Sequence, residues 1–175
     1  MLDTVGTLAR LGLAAVWLIS GGIKLVDPGQ TYIAVQAYDV LPHALVGPVA
    51  TALPLLELVL GLLLLAGLAT RYVAGVALVL LAVLIAGIAQ SWARGLSIDC
   101  GCFGGGGSVS AGQTEYPQEI LRDTGFALLA IWLLVRPRTW ASLDGWLGWG
   151  REKTTGSGNS TGPADDYSTS IAEGK

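Results

Sequence analysis

The chain has 175 residues, 52% of them hydrophobic and 13% charged, with a mean hydropathy of +0.59. A soluble domain carries about a quarter charged residues, so this balance places the chain in the membrane class. A net charge of -3 with no basic cluster excludes a nucleic-acid partner.

A helix needs about 20 apolar residues to cross roughly 30 Å of hydrocarbon. The first predicted span covers residues 5–26, with Arg10 and Lys24 inside its ends. No A-x-A-like site follows it, and Lys24 and Asp27 close it, so it reads as a retained span and not a cleaved leader. Asp27-Pro28-Gly29 is a turn signal. In TYIAVQAYDVLP beyond it, Tyr32, Ile33, Val35, Tyr38 and Leu41 recur at roughly helical spacing. Both a short surface helix ended by Pro42 and an irregular loop fit that stretch.

The second predicted span, 44–69, is interrupted only by Glu57. A carboxyl at that depth costs a few kcal/mol, so it should face the bundle interior and have a partner. Lys24 and Arg122 are the candidates, although the helical rise sets Glu57 about 10–15 Å deeper than either. Such a polar cluster could handle protons, hold a small ligand or fix helix register. The third span, 72–93, has no charge. In the fourth, the uncharged core TGFALLAIWLLV is too short alone. That helix must begin near Pro117, run over 117–136, and take Arg122 and Asp123 into its outer turns. Gly21, Gly22, Gly61, Gly67, Gly75 and Gly87 supply small residues for close helix packing. No strand pattern is visible.

The predicted fold is thus all-α, a polytopic four-helix membrane domain over residues 1–138. Trp140, Trp146 and Trp149 make 139–150 an interfacial segment at headgroup level. Residues 151–175, rich in Gly, Ser, Thr and acid, read as a disordered cytoplasmic tail. Orientation follows the flanking cations. Arg10, Arg71, Arg136, Arg138, Arg151 and Lys153 flank one side, against Lys24, Arg94 and Arg122 on the other. Both termini are expected in the cytoplasm and the loop after the third span outside it.

That loop holds both cysteines, in IDCGCFGGGG. Residues two apart have Cα atoms about 5.5–7 Å apart, near the upper edge of the disulfide range. A ring so small is strained, and a strained, exposed disulfide is the more oxidising kind. It closes almost no loop, so it gains little as a structural staple. Cys100 and Cys102 therefore read as a redox pair facing the oxidising side. A disulfide that only shapes the loop is the alternative. Two thiolates and the only histidine, His43, give at most three ligands, so no metal is expected. Asp99 disfavours a neighbouring thiolate unless Arg94 or Arg122 offsets it.

Taken in order, RLGLAAVWLISGGIKLVDP, AYDVLP, LPLLELVLGLLLLAG, RG…DCGCFG and LRDTGFALLA resemble the DoxX-like superfamily and, within it, the methylamine-utilisation membrane proteins called MauE. The resemblance implies a four-helix bundle in a bacterial plasma membrane that makes or maintains disulfides in exported proteins. The cysteine-rich small subunit of methylamine dehydrogenase is one such client. It assigns Cys100 and Cys102 to the family's thiol pair, and Lys24, Glu57, Arg122 and Asp123 to its recurring polar positions. Four-helix disulfide generators linked to quinones carry a second cysteine pair, and this chain has none. Its one pair would exchange directly with a membrane quinone or with the thiols of an exported client or a thioredoxin-like partner. The rival from another class is a non-catalytic membrane subunit that docks a redox enzyme, its thiols only shaping the docking loop. A solute carrier using Glu57 is disfavoured, since no inverted repeat is visible.

Overall fold

The computed structural model describes residues 2–101, 104–110 and 114–136. Cys102, the Trp-rich segment and the tail therefore lie outside the described residues. Five helices and one short strand pair follow in order: α1 Leu2–Val26, α2 Pro28–Ala37, α3 His43–Ala66, α4 Thr70–Ala93, β1 Ile98–Asp99, β2 Gly107–Ser108 and α5 Tyr116–Val135. Among the described residues, α1, α3 and α4 are long and apolar enough to cross a membrane. In α5 the first two turns carry Glu119, Arg122 and Asp123, which shortens its apolar stretch.

The connection from α3 to α4 is a tight left-handed turn. Gly67 takes φ 67°, its N–H donates to the Leu64 carbonyl at 3.1 Å, and Leu68 N–H donates to Leu63 at 3.0 Å. This pairing satisfies carbonyls that a helix end leaves orphaned. Ala69, also left-handed, opens α4. The second predicted span ran on to residue 69. Gly67 stops the helix at Ala66, because only glycine adopts that backbone without strain.

α1 packs closely on α3, and α4 on α5; α3 and α4 touch much less. Glycine permits the α1–α3 approach. A Cβ on Gly21 would stand 2.9 Å from the Pro54 carbonyl oxygen, and one on Gly61 would stand 2.7 Å from Leu18. The apolar core lies towards the α3–α4 turn, where Leu13, Trp17, Leu60, Leu64, Ala77 and Leu133 bury one another. Outward faces stay apolar, with Leu8, Leu62 and Val79 exposed, as a lipid solvent allows.

Two expectations are corrected. The stretch after Asp27 is helical, but it starts at Pro28 and ends at Ala37, short of Pro42. Asp27 is its N-cap, accepting from Gln30 N–H at 2.9 Å, with Pro28 in the first turn where its missing N–H costs nothing. Asp39 with φ 50° takes the chain out of the helix. Second, the thiol loop does contain strand. Ile98 pairs with Ser108 and Asp99 with Gly107 in a two-residue antiparallel ladder. Two residues are too few to leave a periodic trace in the sequence.

α3 begins well before α1 ends, measured along the bundle. Gly21 lies level with Pro54 and Glu57, so the first turns of α3 project beyond Val26. α2 folds back to cover them. This offset builds the end of the molecule that carries the thiol loop.

Candidate functional site

The loop end is assembled by backbone-directed side chains. Tyr116, at the start of α5, accepts from Ile98 N–H at 3.1 Å through its hydroxyl and donates to the Leu96 carbonyl at 2.5 Å. Its ring stacks on Trp92 at 6.2 Å. Tyr38, past the end of α2, donates to the Cys100 carbonyl at 3.3 Å. Gln30 donates to the Gly106 carbonyl at 2.6 Å. The loop is therefore clamped between α2 and α5.

Glycine lets it sit close. Gly101 and Gly106 both have positive φ, and a Cβ on either would press on the Ala34 methyl, at 3.0 and 2.6 Å. The run after Cys102 is thus a backbone-close seat on α2.

Cys100 is buried, 8% exposed. Its Sγ lies 3.6 Å from Nη2 of Arg122. Its backbone N–H donates to Oε1 of Glu119 at 3.3 Å. Glu119 is buried, and its Oε2 has no partner among the described residues. Asp99 turns its carboxylate to the Gly101 N–H at 3.0 Å. Ligand atoms of Asp99, Cys100 and Glu119 lie within 4.8 Å of one another. The guanidinium beside the sulfur opposes a cation there. Of the two arginines considered as offsets to Asp99, Arg122 approaches the thiol. Arg94 instead pairs with Asp39 at 2.9 Å.

Below this lies a second polar cluster. Lys24 Nζ meets Glu57 Oε1 at 2.5 Å and donates to Ser20 Oγ at 2.9 Å. The depth mismatch expected between Lys24 and Glu57 is absent. Because α3 projects past α1, mid-α3 stands level with the last turn of α1. Glu57 is fully buried, so the ion pair replaces water that the interior lacks. Arg122 Nε reaches Asp123 Oδ1 at 3.1 Å, and Asp123 is 2% exposed. Lys24 lies close enough to Asp123 for their charges to interact. A line of alternating charge thus runs from Glu57 through Lys24, Asp123 and Arg122 to Cys100.

Lys24, Glu57, Asp99, Cys100, Arg122 and Asp123 are all brought to this end of the bundle. Glu119 was missed. It stands three and four residues before Arg122 and Asp123, on one helical face, and that spacing is the signal that could have found it. Beside the site a cavity of about 1090 Å³ opens between α2, α3 and α4, with Lys24 and Cys100 in its wall.

Apolar spanning helices, a thiol loop clamped at one end and a buried charge line beneath it define a polytopic helical membrane protein with a polar site at one end of its helices. The profile of one family, described as methylamine utilisation protein MauE, matches residues 2–136. The chain belongs to the MauE family. No curated protein and no solved structure matches it.

Proposed function

We propose that this protein is a membrane thiol–disulfide exchanger in which Cys100 and Cys102 pass a disulfide to exported client proteins. The observation that carries this reading is the guanidinium of Arg122, 3.6 Å from the sulfur of the buried Cys100. A thiolate leaves more readily when positive charge waits for it. The client thiolate attacks Cys102, the Cys100–Cys102 bond breaks, and Cys100 departs as a thiolate beside Arg122. A second client thiolate then attacks the mixed disulfide at the client sulfur. The client gains one disulfide, and Cys100 and Cys102 hold the two electrons. Asp99 and Glu119, each with a carboxylate oxygen within 4.8 Å of the Cys100 sulfur, are the groups that can pass on the protons released when the pair is oxidised again.

In this reading the fourth crossing is α5. Its 20 residues span about 30 Å. Glu119, Arg122 and Asp123 lie in its outer turns and face the bundle interior. The membrane is the bacterial plasma membrane, with the thiol loop outside and both termini in the cytoplasm.

The test is the double substitution Cys100→Ser with Cys102→Ser, with client cysteines followed by mass-tagged maleimide. The expected result is a client that still binds but keeps its thiols reduced. A client oxidised at the wild-type rate overturns the reading and leaves a docking subunit in its place.

A further inference from the structure

The cavity beside the thiol loop has a composition that selects its occupant. Its volume, about 1090 Å³, exceeds the roughly 300–1,000 Å³ usual for a small-molecule site. Its walls on α3 and α4 are mainly aliphatic, with Leu53, Leu80, Val83 and Leu84 lining them and Gln90 near the loop end of α4. Its polar side chains, Lys24, Asp27, Gln30, Thr31, Gln90 and Cys100 among them, gather towards the loop end. Val83 is 61% exposed while lining the cavity, so the space opens sideways through the apolar flank where α3 and α4 separate. A ligand that enters there arrives from hydrocarbon, with a long apolar tail and a compact polar head that lodges by Cys100.

The chain's one thiol pair must give up two electrons after each client turnover, and the described residues hold no second pair to receive them. We propose that this cavity binds an isoprenoid quinone of the membrane and that the quinone re-oxidises Cys100 and Cys102 directly; the proposal rests on the exchange reading above. Two S–H bonds break and one S–S bond forms. The quinone takes two electrons and two protons and leaves as the quinol. The ammonium of Lys24 and the amides of Gln30 and Gln90 are among the donors in the cavity wall that can meet a quinone oxygen. Gln30 also fixes the loop through Gly106.

The full chain, reduced and reconstituted in lipid nanodiscs, is mixed with decylubiquinone. Disulfide formation is read by maleimide mass-tagging and quinol by absorbance. The same preparation is oxidised in parallel by glutathione disulfide, which needs no cavity. Val83→Trp and Leu84→Trp fill the cavity from α4 without touching the loop. The expected result is one quinol per disulfide in the wild type. In both variants the quinone-driven rate should fall about tenfold or more, the equivalent of about 1.4 kcal/mol of lost binding, with the glutathione rate unchanged. A pair that exchanges with glutathione but is blind to decylubiquinone overturns the quinone site and leaves the exchange function standing. So do two variants with the wild-type quinone rate, the result expected if bulk lipid alone fills the space. A wild-type pair that fails to exchange with glutathione removes the exchange reading itself.

Discussion

Lys24 and Glu57 are the side chains on which the interior most depends. Removing one partner of a buried ion pair leaves an uncompensated charge, a loss of about 3–5 kcal/mol. Lys24→Met or Glu57→Gln should therefore lower the thermal unfolding midpoint of the purified protein sharply. Replacing both together, Lys24→Met with Glu57→Leu, should recover most of it. Single variants as stable as the wild type would show that water reaches the pair. Arg122 acts differently, since it is one-third exposed and faces the sulfur. Arg122→Gln should slow disulfide transfer about tenfold, about 1.4 kcal/mol of lost leaving-group stabilisation. Arg122→Lys, which keeps the charge but not the fork geometry, should recover part of the rate. Equal rates in all three proteins would remove the guanidinium from the mechanism.

Among the elements, the glycines of α1 are not equivalent. Gly21 faces α3 with no room for a methyl, while a Cβ on Gly12 would meet nothing within 4 Å. Gly21→Ala should destabilise by about 1–3 kcal/mol through overpacking. Gly12→Ala should be neutral or slightly stabilising, since alanine favours a helix interior by up to about 1 kcal/mol over glycine. Thermal unfolding of the two variants side by side checks the α1–α3 contact, and equal midpoints would refute it. Element identity was largely legible here. The long apolar runs announced α3 and α4, whereas Asp27-Pro28 is read only as a turn, although an acidic cap followed by a first-turn proline is also a helix start. The β1–β2 ladder was not legible, because two residues show no period. The level of Glu57 was not legible either. Depth counted within each helix ignores how far neighbouring helices slide past one another, and that slide is fixed by Gly21 against Pro54.

For the molecule as a whole, the ends differ in kind. One end is a packed apolar core closed by the Gly67 turn; the other holds the charges, the thiol loop and the cavity. The sequence located the polar residues but not their convergence, since Cys100 and Glu119 meet only after α5 returns along α4. The proposed orientation has a direct check in a cysteine-free background. Ser108→Cys should react with an impermeant maleimide in intact cells, and Tyr72→Cys, at the start of α4, only after the membrane is opened. The reverse pattern would turn the thiol loop to the reducing side, where a disulfide donor has no use.

The seat of the loop on α2 couples two distant positions. No side chain larger than a methyl separates Ala34 from Gly101 and Gly106, so the height of Cys100 above the cavity is set by backbone lying on that methyl. Natural variation at 34 should then be confined to Gly, Ala and Ser wherever 101 and 106 are glycine. A bulkier residue at 34 should appear only in sequences whose thiol loop differs in length. A family alignment would therefore carry this contact as a co-varying set of small residues, readable without any structure.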